Sequence, residues 1–122
     1  MKLDTYYLND LKYKGGFYEI KEVLSTHFSM RNFTDAPNNN GIVTIQFVVN
    51  CIGETGRFKV VVCDFEYQNS QINPEIVNQL LEAILKLKDW IPAKDENGLV
   101  VNSHKFFSFK IQNGKIVDIY PK

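Results

Sequence analysis

Apolar residues recur along this chain with two periods, and the switches between them mark its elements. Phe17, Ile20, Val23, Leu24, His27 and Phe28 return at helical spacing, which predicts a first helix from about Gly16 to Phe28. The polar opening before it shows no clear period. After it, RNFTDAPNNNG gathers Pro37 and three asparagines into a cluster of turn formers, a loop inside one domain and not a linker between two. In GIVTIQFVVN the period becomes two: Val43, Ile45, Phe47 and Val49 alternate with Thr44, Gln46, Val48 and Asn50, as in a strand with one buried face.

CIGETG then supplies a turn, and the β-branched run from Arg57 to Phe65 predicts an antiparallel hairpin partner. With the turn near Thr55, Cys51 falls opposite Arg57 and Cys63 opposite Ile45, roughly 20 Å apart at the rise of a strand, too far for a disulfide. In that register Cys63 shares the apolar face with Val61 and Phe65 and serves as a small core residue. Cys51 lies at the turn as an exposed thiol.

A second helical period follows. Asn73 suits an N-cap, Pro74 the first helical position, and Glu75 the first turn, where the helix dipole favours an acid. Ile76, Leu80, Ile84 and Leu87 form one stripe, widened by Val77 and Leu81, and the amphipathic stretch runs on to Trp90. There DWIPAKDENGLVV turns the chain. Pro92 forbids a continuing helix and biases Ile91 to an extended backbone, Trp90 offers a large ring to cover the sheet edge, and Asn97-Gly98 completes a turn. Trp90, Pro92 and Gly98 are thus expected to form a structural corner.

From His104 to Gln112, Lys105, Phe107, Phe109 and Ile111 alternate with Phe106, Ser108 and Lys110, a third strand. Asn113-Gly114 suits a type I′ turn, whose two central residues both need positive φ, so a fourth strand is expected from Lys115 to Tyr120. The order α-β-β-α-β-β makes an α+β domain: an antiparallel sheet of three to four strands with two helices on one face. With 122 residues the chain fits a single domain, residues 1–122.

Charge narrows the chemistry. Lys plus Arg and Asp plus Glu both number 14, so no net field recruits a polyanion and nucleic acid is disfavoured. A hydrophobic fraction of 44%, with 13% aromatics, is that of a folding domain. No apolar run reaches the roughly 18 to 20 residues of a membrane helix, and MKLDTYYLND lacks a signal-like apolar segment.

The ordered set of motifs resembles the C-terminal domain of the TonB energy-transducer family. The residues that carry it are Gly41, Val43, Ile45, Phe47 and Val49, then Gly53 or Gly56 in a turn, a strand, an amphipathic helix, Trp90-x-Pro92, Asn97-Gly98 and a final strand. It covers about residues 41–112, leaving residues 1–40 as an N-terminal extension with its own helix. The resemblance implies a non-enzymatic, TonB-like protein-binding module of the periplasm or cell envelope, related to TonB-dependent transport and recognising an extended peptide or an outer-membrane receptor segment by β-strand addition. That location presumes a signal or anchor removed ahead of Met1; with Met1 as the native start, the cytoplasm is expected instead. In the family the third strand is the accepting edge, which singles out Lys105, Phe107, Phe109 and Ile111 as partner-binding residues and implies a monomer or a strand-mediated dimer. Here the fourth strand would already occupy that edge.

The alternative is a small hydrolase or thiol enzyme that uses Cys51 or Cys63 as nucleophile with His27 or His104 as base. His27 falls on the apolar side of the first helix near its end, where an imidazole can cap carbonyls, and His104 opens a strand. Neither histidine has a metal-ligand neighbour at His-x-x-His or Cys-x-x-Cys spacing, and no phosphate-binding glycine loop or nucleophile elbow occurs, so no metal, cofactor or catalytic residue is expected.

Overall fold

The computed structural model describes residues 11–122; the aperiodic opening, residues 1–10, lies outside them. Strand β1 (Lys12–Tyr13) leads into helix α1 (Gly16–Phe28), strands β2 (Gly41–Val49) and β3 (Thr55–Cys63), helix α2 (Pro74–Leu85), strand β4 (Trp90–Ile91), and strands β5 (Ser103–Gln112) and β6 (Lys115–Tyr120). The fold is α+β. Strands β3, β2, β5 and β6 form, in that order, a four-stranded sheet, and β1 pairs with β4 in a separate ribbon; every pairing is antiparallel.

The helices place their apolar stripes on one face of the large sheet. Ile20, Leu24 and Phe28 of α1 and Ile76, Leu80 and Ile84 of α2 join Val43, Ile45, Phe47, Val49, Phe107, Phe109 and Ile111 in one buried cluster. The start of α2 has a local cause. The Asn73 side chain accepts from the Glu75 backbone N–H at 2.9 Å, satisfying one of the orphan donors of the first turn, and Pro74 follows with no N–H to satisfy.

The end of α2 corrects the expectation that it would run to Trp90. The last regular turn closes at Leu85, the Lys86 and Leu87 N–H groups fall back on the carbonyls of Ala83 and Ile84, and the chain is then captured by β1. The Tyr13 hydroxyl accepts from Lys88 N–H at 3.1 Å, and Lys14 N–H donates to the Asp89 carbonyl at 3.0 Å. Trp90 is therefore a strand residue opposite Tyr13. Its ring packs on Tyr13, at 4.9 Å between centroids, and on Phe47 of the interior strand β2, at 5.8 Å, so it covers the inward face of the sheet and not its edge.

Strand β3 also differs from its expected register. Asn50 pulls the turn tight, its side-chain oxygen accepting from Ile52 and Glu54 N–H and its own N–H donating to the Glu54 carbonyl, so that Val49 pairs with Thr55. A bulge then sets Arg57 and Phe58 against Phe47, with Arg57 at φ 56°. Beyond it Ile45 pairs with Val60 and Ile42 with Cys63. A slip of odd length exchanges the two faces: Phe58 and Val62 pack against the core, while Val61 and Cys63 turn outward and Phe65 lies exposed beyond the strand. Cys63 is half-buried on the outer face, not a core residue, and both cysteines are free thiols.

Two loops fix the remaining corners. Asp95 accepts from Asn97 and Leu99 N–H through its side chain, Gly98 stands at φ 81°, and the short bridge between Lys94 and Val100 closes the turn that follows Pro92. At the β5–β6 turn, Asn113 and Gly114 both have positive φ, 53° and 76°, as the type I′ reading requires. The loop of three asparagines holds that turn: Asn113 N–H donates to the Asn40 side chain and Gly114 N–H to the Asn39 carbonyl. No described helix is long and apolar enough to cross a membrane.

Candidate functional site

The surfaces offered for recognition follow from the sheet order. Among the described residues strand β3 has β2 on one side only, and its far end is closed by the loop after it, where Ser70 N–H donates to the Val62 carbonyl and Asp64 N–H to the Gln68 carbonyl. Strand β5 is interior, but β6 accompanies it only from Ser108, opposite Tyr120, to Gln112, opposite Lys115. Along Ser103–Phe107, β5 pairs with β2 alone among the described residues.

Four residues singled out for partner binding occupy one face of β5, and it is the inward one. Phe107, Phe109 and Ile111 are fully buried in the core, so their side chains are not available as a contact surface. Lys105 is half-buried, its Nζ 5.2 Å from the Phe107 ring centroid, and burial pushes its ammonium pKa below the ordinary lysine value. The outward residues of the same strand, which the spacing did not single out, include Phe106, 43% exposed, and Ser108, whose hydroxyl shares a 2.7 Å hydrogen bond with Thr44.

Tyr120, at the end of β6, pairs with Ser108 on this outer face. Its phenol is pushed above the usual tyrosine pKa first by burial and then by the neighbouring Tyr67, Asp118 and Cys63.

The thiols and imidazoles do not assemble. Cys51 is exposed in the turn between β2 and β3, its N–H donating to the Asn102 side chain, whereas Cys63 stands at the far end of β3. His27 lies between the helices: its carbonyl accepts from the buried Gln79 amide at 2.9 Å, and its Nε2, without a hydrogen-bond partner, is 3.7 Å from Glu82 Oε1. The imidazole is a helix-packing group here, and Gln79 takes over the carbonyl contact expected of it. His104 borders a shallow cleft of about 410 Å³ with Glu54, Arg57 and Asn102. Neither histidine's cleft contains a cysteine. A larger open cleft, about 580 Å³, lies between the end of α1 and the β5–β6 turn, lined by Phe28, Arg31, Phe33, Lys115 and Ile116; its Arg31 is paired with Glu75. No group of three or more His, Cys, Asp or Glu among the described residues is arranged to hold a metal ion.

Trp90, Pro92 and Gly98 occur in the segment that carries the chain from α2 to β5, with Trp90 buried and Gly98 exposed at the turn. Tyr13 is the member of this corner that the sequence pattern passed over. Its alternation with Leu11, both apolar contacts of the core, was the available signal.

The chain matches no protein-family model, no curated protein and no solved structure.

Proposed function

We propose that this chain is a TonB-like, non-enzymatic protein-binding module of the cell envelope that takes an extended peptide or receptor segment as an additional β-strand. The observation that carries the reading is the half-covered strand β5: β6 ends opposite Ser108, and Ser103–Phe107 has no strand on that side among the described residues. A strand edge with no neighbouring strand presents backbone donors and acceptors, which an extended chain satisfies without any particular side chain. That mode suits a site whose inward side chains are committed to the core. The separation of the two cysteines from the histidine clefts supports the non-enzymatic side of the proposal.

In this reading β6 competes with the partner for the edge of β5. Titration of the intact chain and of a chain ending at Gln112 with an extended receptor-type peptide tests it, with amide exchange read along the sheet. The peptide should protect amides of Ser103–Phe107 in the intact chain, and the truncated chain should bind it more tightly or dimerise through the freed strand. A folded, strictly monomeric truncated chain with no gain in binding, or an intact chain with no new protection along a sheet edge, removes the proposal.

A further inference from the structure

Both helices cover the same face of the four-stranded sheet, and among the described residues no helix packs on the opposite face. Its residues fall in three cross-strand rows: Cys63, Ile42, Lys110 and Asp118; Val61, Thr44, Ser108 and Tyr120; Lys59, Gln46 and Phe106. Apolar side chains flank the middle of this face, with Val61 45% and Phe106 43% exposed, and Phe65, at 38%, lies beside Lys110 with the ammonium 5.2 Å from its ring. At its centre one of the Thr44 and Ser108 hydroxyls donates to the other at 2.7 Å. Covering the pair keeps that bond and leaves one hydroxyl proton for an acceptor on the covering surface.

The charges are arranged by end. Exposed Arg57 and Lys59 lie toward the β2–β3 turn, whereas exposed Asp118, and Asp64 and Glu66 in the turn after β3, lie at the other end and outnumber Lys110, the cation in the Asp118 row. A twofold axis through the centre of the face sets the basic end of one copy over the acidic end of the other, the self-complementary pattern of an isologous dimer. The formal net charge of zero adds no long-range repulsion between copies. We infer that the outer sheet face is a homodimer interface, two copies stacking face to face as a sheet sandwich with their helices outward.

Sedimentation of the intact chain over a concentration series tests this. A reversible dimer is expected, weakened by added salt because its end charges are attractive. Phe106→Glu and Val61→Glu, both outward-facing and thus expected to leave the fold intact by circular dichroism, should each raise the dissociation constant at least about tenfold. Lys59→Glu should weaken the dimer and a second change, Asp118→Lys, should restore part of the loss. The native thiols give a second readout: dimerisation should slow maleimide labelling of Cys63, on the interface, and leave Cys51, in the turn, as an unchanged internal reference. A chain monomeric throughout the series overturns the inference. So does a dimer that persists in Phe106→Glu and Val61→Glu, the result expected of pairing through the β3 edge, or one in which Cys63 labels as fast as in the monomer.

Discussion

The Trp90 indole meets the Tyr13 ring edge-on, at 4.9 Å between centroids and 82° between planes, and so joins the segment before α1 to the segment after α2. The same Tyr13 accepts the Lys88 N–H, which ties the backbone as well as the rings. Removing Trp90 empties a site against both Tyr13 and Phe47. Trp90→Ala should cost about 3 to 5 kcal/mol in a reversible denaturant titration. Tyr13→Phe keeps the ring contact and removes the acceptor of one part-buried N–H, so its cost should be smaller, about 1 kcal/mol. Equal costs for the two would contradict this division of roles.

Leu80 is fully buried at the centre of the α2 stripe. Leu80→Ala should destabilise by about 2 to 5 kcal/mol, with an unchanged dependence on denaturant concentration if the native state keeps its compactness. A loss within about half a kcal/mol, the range of an ordinary surface change, would contradict the assigned core face.

Gly114 has φ 76°, and a Cβ built on it would lie 2.2 Å from the Phe33 carbonyl oxygen. Backbone cannot yield as a flexible side chain does, so Gly114→Ala should cost more than the roughly 1 kcal/mol of a positive φ alone. Asn113→Gly, at the preceding turn position, relieves the φ requirement but loses the side chain, and should be nearly neutral. Thermal unfolding of the two variants side by side checks the contrast.

Lys105 has its ammonium pKa lowered from 10.5 by burial, so between the folded and unfolded pKa values the unfolded chain holds the proton more tightly. For this group stability rises with pH across that alkaline window and is lowest where the ammonium is fully charged. Lys105→Met should therefore stabilise the chain near neutral pH, by a margin that narrows as pH climbs toward the usual lysine pKa. Denaturant midpoints across that range check the sign, and a margin that widens with pH would refute it.

Much of the architecture was legible because it depends on local chemistry. The bounds of α1 and β6, the Asn73 cap, the Asn113-Gly114 turn and the inward stripe of Ile76, Leu80, Ile84 and Leu87 all follow from period and capping. What the pattern missed depends on long-range partners. The capture of Lys88 to Ile91 by a two-residue strand near the start of the chain is marked only by the short alternation of Leu11 and Tyr13, too brief to show that the helical period would stop short of Trp90. The bulge opposite Phe47 is a single extra residue in a run where both faces are β-branched, and alternation alone gives no sign of it. That one residue moved Cys63 and Val61 from core to surface and turned the outer face into a candidate interface. The strong alternation of Phe107, Phe109 and Ile111 is the signature of a core strand, and their burial leaves the backbone of β5 as what that stretch can offer a partner.

The loop from Phe33 to Asn40 has the composition of a dispensable surface connection, yet it works as a keystone. Asn38 offers its carbonyl to Asn73, the residue that starts α2, while Asn39 and Asn40 hold Gly114 and Asn113, and Asn39 also braces the loop through the Phe33 and Thr34 carbonyls. Three consecutive residues thus couple two places 40 positions apart in the chain, the first turn of a helix and the tip of the last hairpin. Surface loops ordinarily accept added residues. This one should not, because a single insertion between Asn38 and Asn40 would let only one of the two ends keep its register.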